Sequence, residues 1–341
     1  MSSEAGSPAP VPDSAPRKRG IVSRGVAFVA WMSLLFSLGA WIVVRFGDAW
    51  APATFLMFGP RWVLPIVPAC AFFLTLIARR RSIPVATVAL IVAGGPAMGF
   101  VFPIPGNETD SAPMRVLTCN LHNARIEGAA IAKLVQEMNP DVAAFQESNS
   151  VRQFTNFAPP NWHVHRAAGL VLVSRYPIRK AEVLGTDSTS EHGLVATYEL
   201  ETPRGLLTVF NLHFATPRDA LAKVASGQAD GWKELEENSA IRRAQSENVA
   251  AAATKVRGAV LILGDFNTPT ESVVFKKAWS NFEDAFAMAG WGWGYTFRIK
   301  RTAVRIDHIL LRNGKAAHCW VGPDIGSPHR PVLADVRWSQ D

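Results

Sequence analysis

The chain has 341 residues, with 35 basic and 28 acidic side chains and a net charge of +7. Hydrophobic residues make up 48% and charged residues 18%, which excludes an intrinsically disordered chain, since disorder needs low hydrophobicity and high charge. Three cysteines exclude a disulfide framework and any four-cysteine zinc site. The charge is unevenly spread: residues 1–105 carry nine basic and three acidic residues, residues 106–341 carry 26 and 25, and all eight histidines lie in the second part. The basic excess therefore belongs to the N-terminal third and does not mark the remainder as a nucleic-acid binder.

Residues 1–23, rich in Ser, Ala, Pro, Arg and Lys, read as a disordered basic arm. Three charge-free runs follow within residues 24–105: 20 residues from Gly25 to Val44, 17 from Trp62 to Ala78 and 26 from Ser82 to Asn107. A membrane-crossing helix takes about 20 apolar residues, so these runs predict three transmembrane helices, with the second at the short limit. Arg17, Lys18, Arg19 and Arg24 precede the first run and Arg79, Arg80 and Arg81 precede the third, which places those ends in the cytoplasm by the positive-inside rule. The lipid bilayer is then a partner, the chain is a multi-pass protein of the cell membrane, and everything after about Pro105 is extracytoplasmic. Re-entry of the second run reverses that sidedness. Residues 106–113 form an irregular spacer, and 114–341 a separate domain.

In that domain strands alternate with helices. Met114 to Asn120 is a strand-type apolar run. Ile131, Leu134, Val135 and Met138 recur at helical spacing until Asn139-Pro140 stops them. Further strands are expected at Asp141–Glu147, Leu170–Arg175, Leu194–Leu200, Leu206–His213, Ala259–Asn267, Arg305–Arg312 and Pro331–Trp338, with a long helix over about Glu234 to Val256. Thr202-Pro203-Arg204-Gly205 is a hairpin signal, and hairpins together with helical crossovers predict an α/β domain with mixed sheets. Polar residues close several apolar strands: Asn120, Glu147, His213, and Asp265 with Asn267. One such residue reads as a turn or cap; the repetition reads as a rim where distant residues converge.

These segments carry the motifs TCNLH (118–122), FQES (145–148), FNLHF (210–214), GDFNTPTES (264–272), RIDHIL (305–310) and GSPHRPVLADV (326–336), in that order. Over residues 114 to 338 the chain resembles the endonuclease/exonuclease/phosphatase superfamily. The resemblance implies a four-layer sandwich, two mixed sheets packed face to face with helices outside, and a metal-dependent phosphoesterase using Mg²⁺ or Mn²⁺. It implies Glu147 and Asn120 as metal ligands, Asn120 also as a substrate contact, and Asp265 as the group that orients or deprotonates water, with Asn267 next to it. Asp307 would fix and charge His329, and His329 and His213 would face the phosphate, with the division of roles between them open. Two departures bear on the metal: Pro328 precedes the last histidine where many members have aspartate, and His122 stands where nucleases carry Asp or Asn. Both put a second metal in question.

The resemblance implies a phosphodiester or phosphomonoester as substrate, a nucleic acid, a lipid phosphate or a small phosphate ester. The motifs favour a nuclease; the tether to the membrane favours a polyprenyl or phospholipid phosphate. An inactive receptor or scaffold predicts loss of the site residues, and all are present. No protein partner is implied. Outside the motifs, His163 and His165 read as a solvated strand face, and His308 as structural, facing away from Asp307. The aromatic stretch Trp291–Phe297 with Arg298, Lys300, Arg301 and Arg305 reads either as a contact for bases or headgroups or as a solvated loop.

Overall fold

The computed structural model describes residues 17–78, 80–103, 113–122, 128–148, 158–185 and 193–338. The N-terminal part is helical: α1 (Arg17–Val44), α2 (Ala51–Phe58), α3 (Ile66–Ala78) and α4 (Ile83–Gly94). Helix α1 starts inside the predicted arm, whose residues 1–16 lie outside the described residues, as does the predicted spacer up to residue 112. Two helical stretches, Gly20–Val44 and Arg61–Ala78, are long and apolar enough to cross a membrane. Among the described residues the expected third span is not matched by such a helix: α4 has only 12 residues, about 18 Å at 1.5 Å per residue, and turns out at Gly94-Gly95. The glycine pair and Pro96 break a run that its composition alone made long enough.

The helices pack with small residues inside and large apolar ones outside. Ala30, Ser33, Ser37, Thr75, Ala86 and Ala89 are buried, whereas Phe28, Trp31, Leu35, Ile77 and Ile91 are more than half exposed. Hydroxyls at the packed face bond backward along their own helices, Ser33 to the Ala30 carbonyl and Ser37 to the Ser33 carbonyl, so they bury no unmet donor.

The C-terminal domain begins with β1 (Met114–Asn120), α5 (Gly128–Met138), β2 (Val142–Gln146), β3 (His163–Ala167), β4 (Leu170–Ser174), β5 (Ile178–Gly185), β6 (Leu194–Thr202) and β7 (Gly205–His213). It continues with α6 (Arg218–Ala225), α7 (Asp230–Lys255), β8 (Ala259–Asp265), α8 (Val273–Ala278), β9 (Glu283–Asp284), α9 (Ala285–Ala289), β10 (Phe297–Ile299), β11 (Thr302–Val304), β12 (Asp307–Arg312), β13 (Gly314–Val321) and β14 (Val332–Trp338). Two six-stranded sheets result, ordered β13-β14-β1-β2-β4-β3 and β5-β6-β7-β8-β12-β9, with β10-β11 as a separate ribbon. Each sheet has one parallel pair, β1 with β2 and β7 with β8, amid antiparallel neighbours, so both are mixed.

Side-chain alternation makes the layers. On β1, β2, β7, β8 and β12 one parity (Val116, Ala144, Val209, Leu263, Ile309) fills the core between the sheets. The other parity meets helices: Leu117, Cys119 and Phe145 pack on Ile131, Leu134 and Val135 of α5, and Phe210, Leu212 and Ile262 pack on Val249, Ala250 and Ala253 of α7. The result is the expected sandwich of two sheets between helices. Cysteines 119 and 319 are buried and unbridged. One glycine is obligatory: Gly264 has φ +143°, and a Cβ there would sit 2.0 Å from the Leu212 carbonyl oxygen on the parallel neighbour β7.

Candidate active site

The inward parity that fills the core ends, at one rim, in polar residues. Register places His213 of β7 opposite Asp265 of β8, and Asp265 opposite Asp307 of β12, so the three form one row across the second sheet. Asn120 ends β1 in the first sheet, paired with Gln146. Below the rim lies a sealed polar layer. Gln146 Nε2 donates to Asn211 Oδ1 at 2.7 Å and to Thr118 Oγ1 at 3.1 Å, and Asn211 Nδ2 donates to the Val171 carbonyl at 3.1 Å, which ties the two sheets together. Sequence reasoning passed over Gln146 and Asn211, although each stands inside a quoted motif with the parity of the core.

Asn120 is the hinge of the cluster. Its Nδ2 donates to Glu147 Oε1 at 3.0 Å and to Asp265 Oδ2 at 2.9 Å, while its Oδ1 accepts the His122 N–H at 2.8 Å. An amide nitrogen has no lone pair for a cation, so the expectation of Asn120 as a metal ligand does not fit this orientation. Glu147, at a left-handed φ of 49°, directs its carboxylate to His213 Nε2 (3.5 Å) and to His122 Nδ1 (3.8 Å). Burial pushes the Glu147 carboxyl up, but the Asn120 hydrogen bond and the imidazoles of His213, His122 and His329 outweigh it and hold the group below its usual range.

Asp265 is fully enclosed. Its Oδ1 accepts the Asn267 N–H at 2.9 Å, and its Oδ2 lies 3.8 Å from His213 Nε2 and 3.7 Å from His329 Nε2. Burial and the Asp307 charge raise its pKa to about 7, against the pull of His329, Asn267 and Asn120. Asp307 accepts from His329 Nδ1 at 2.9 and 3.1 Å, and its own N–H is held by Thr296 Oγ1. Burial lowers the His329 pKa, but Asp307 and Asp265 more than reverse that and bring it to about 9, so the ring is cationic at neutral pH. Ser327, not anticipated from the sequence, donates to the Asn120 carbonyl at 2.8 Å and accepts the His329 N–H at 3.1 Å, linking the last motif to the first. Asn267, at φ 47°, donates through Nδ2 to the Phe214 carbonyl at 2.8 Å.

Asn120, Glu147, His213, Asp265, Asn267, Asp307 and His329 therefore meet at one rim. Arg305 does not join them: its guanidinium is buried against Asp284 (2.8 and 3.2 Å) and Thr270 (3.0 Å) and lies over the Phe286 ring. The aromatic stretch is also committed elsewhere. Trp293 Nε1 donates to the Gly94 carbonyl, Tyr295 Oη to the Met98 carbonyl, and Gly292 pairs with Val101, so it docks on the N-terminal helical part. His308 points the other way from Asp307 and donates to the Thr268 carbonyl at 2.9 Å. His163 is exposed, and His165 lies edge-on to Tyr198.

Asp265, Asp307 and His329 each offer a ligand atom, all within 4.8 Å of one another. Three carboxylates share this rim, and Asp265 is destabilised in its charged form, so the donor set is short of positive charge. Hard carboxylate oxygens of this kind suit a divalent cation, whereas His329 in its cationic form has no lone pair to offer one.

The model of the endonuclease/exonuclease/phosphatase family matches residues 117–338. Among solved structures, D. rerio TDP2 humanized by 14 mutations superposes with a TM-score of 0.52 at 13% identity, covering 67% of this chain and all of that one. An endonuclease/exonuclease/phosphatase from Bacteroides vulgatus superposes with a TM-score of 0.50 at 14% identity, again over 67% of this chain and all of the other. At such identity these likenesses show the fold. No curated protein matches the chain. The family match over most of the chain, with the sandwich and its acidic and imidazole rim, makes this protein a phosphoesterase of the endonuclease/exonuclease/phosphatase family.

Proposed function

We propose that the chain is a membrane-anchored, divalent-metal-dependent enzyme that hydrolyses a phosphodiester or phosphomonoester outside the cytoplasm. The observation that carries the reading is the rim itself: three carboxylates and two imidazoles, converging from both sheets and ordered by hydrogen bonds. A divalent ion held at this rim would supply charge neutralisation for the phosphate. Glu147 is its best holder, because Asp307 and His329 direct their facing atoms to each other. Asp265, with a pKa of about 7, is poised to take a proton from water at neutral pH, and the Asn267 N–H keeps its carboxylate oriented. His329, charged through Asp307, stabilises the developing negative charge on phosphate. His213, between Glu147 and Asp265, supports the leaving group. Asn120 orients both carboxylates rather than binding the ion.

The helical part supports anchoring. Its inverted pattern, small residues within and large apolar ones without, suits helices that pack in lipid. Val44 at the end of α1, Arg61 ahead of α3 and Met98 after α4 all contact the catalytic domain. Arg24 lies toward the start of α1, and Arg80 and Arg81 lie between α3 and α4; with α4 and the residues after Gly94 returning the chain to the side where α1 ends, the positive-inside rule favours a catalytic domain outside. The test is steady-state hydrolysis of bis-p-nitrophenyl phosphate and p-nitrophenyl phosphate by the full chain in detergent, with Mg²⁺ or Mn²⁺. Activity lost in His329→Ala and Asp265→Asn is expected; activity that survives both sinks the assignment. A C-terminal reporter that signals from the cytoplasm sinks the sidedness.

A further inference from the structure

A cleft of about 340 Å³ runs from the rim toward the helical part. Its inner end is formed by His329 and Asn267, and its walls by Phe55, Phe58, Leu221, Ile299, Val304 and Ile306. Phe55 and Phe58 belong to α2, so one wall comes from the N-terminal helical unit, and the other from α6, the β10-β11 ribbon and the strand that follows. Phe58, Val304 and Ile306 are buried in one cluster with Val44 and Met57, which holds that wall in place. Ile299 is 46% exposed at the outer lip, where Arg218 and Lys300 also border the cleft. The segment that supplies the α2 wall also exposes Trp50 and Trp62, residues whose rings favour the membrane–water boundary.

Aliphatic and aromatic walls ending at a phosphate-cleaving rim are mismatched to a nucleic acid, whose backbone asks for a basic track on either side of the cut. They match a molecule with a phosphate at one end and a hydrocarbon at the other. We propose that this cleft binds the apolar chain of a lipid phosphate ester, and that Phe55, Leu221 and Ile299 set the preference for that chain. The proposal rests on the phosphoesterase reading of the rim and names its substrate class. Burying one methylene favours binding about fourfold, so a seated chain has a large effect on KM.

The experiment uses the full chain in a single detergent with Mn²⁺, and compares butyl, octyl and dodecyl phosphate. KM is expected to fall by about tenfold or more from butyl to dodecyl. Partitioning into detergent strengthens the long ester for every variant alike, so the decisive comparison is between variants. Leu221→Trp fills the cleft, and Ile299→Asp, at an exposed position that tolerates charge, makes its lip polar. Either is expected to shrink the chain-length effect to about threefold or less. A chain-length effect that neither variant changes, or equal KM for butyl and dodecyl phosphate, overturns the cleft assignment and leaves the phosphoesterase standing. Hydrolysis of the soluble nitrophenyl esters with none of the three alkyl esters cleaved overturns the cleft assignment alone, and failure on all of these esters removes both.

Discussion

Asp48, between α1 and α2, forms a fully buried two-pronged ion pair with Arg242 on α7: Arg242 Nη2 to Asp48 Oδ1 is 2.5 Å and Nη1 to Oδ2 is 3.0 Å, with neither side chain exposed. Ser239 and Ser272 hydroxyls donate to the same carboxylate, and Thr54 Oγ1 accepts its N–H. Arg242 goes on to donate to the Asn267 carbonyl at 3.2 Å and to Thr268 Oγ1 at 3.3 Å. The helical part is thus bonded, through one guanidinium, to the backbone of the active-site loop. A second pair, Arg61 with Glu271, repeats the link nearby.

Asp48→Ala leaves a guanidinium buried without its counter-charge, which costs about 3–5 kcal/mol. Thermal unfolding of the full chain is expected to shift down accordingly, with activity falling because Asn267 loses its support. A fragment beginning at residue 106 lacks Asp48 and Arg61 altogether, and should unfold at a lower temperature than the full chain. Equal melting temperatures for fragment and full chain contradict this account.

At the rim, Asp265→Asn and His329→Ala are each expected to lower kcat by about 10²- to 10⁴-fold while leaving the fold intact by circular dichroism. Glu147→Gln should raise the metal concentration for half-maximal activity by about tenfold, because the anionic ligand proposed at this position becomes neutral. Chelation should abolish turnover and added Mg²⁺ or Mn²⁺ restore it. An unchanged metal titration in Glu147→Gln would move the ion to the Asp265, Asp307 and His329 set.

His308 supplies a pH dependence of stability. Burial, chiefly, and the Arg305 charge lower its pKa from 6.5 to about 4, and its Nδ1 has no partner among the described residues to take a second proton. Between pH 6.5 and about 4 the unfolded chain binds the proton that the folded chain refuses, so stability is full above 6.5 and is lost as pH falls through that window. The loss amounts to about 3 kcal/mol by pH 4. Chemical denaturation at pH 7 and pH 4.5 measures it, and His308→Gln should show a shallower decline; equal declines would show that other groups dominate.

Gly264→Ala tests the close approach of β7 and β8. The added methyl meets a backbone carbonyl that cannot rotate away, so the variant is expected to lose about 4 kcal/mol or more, or not to accumulate. Wild-type stability in this variant would mean that the strands separate without cost.

Alternation and strand-end chemistry are local properties, and they carried much of this molecule. Asn120, His213 and Asp265 stand at the ends of apolar runs, and Asp307 at the head of another. With two-residue periodicity they share the parity of Val116, Val209, Leu263 and Ile309, so a packed sandwich directs them inward at one rim. The strands β5 and β13 were not legible, because Ile178–Gly185 and Gly314–Val321 are half-exposed edge segments with charges among their apolar residues. Direction and partnership belong to the tertiary structure. Only packing decides that the Asn120 amide turns its nitrogen to the carboxylates, that Arg305 neutralises Asp284, and that Trp293 and Tyr295 bond to the helical part. Composition likewise read the third apolar run as long enough to span, whereas Gly94 and Gly95 end its helix early. The charge of the chain divides in the same way. Its placement in the N-terminal third is written in the sequence, but the burial of Asp48 against Arg242 across nearly two hundred residues is a long-range pairing that no local pattern specifies.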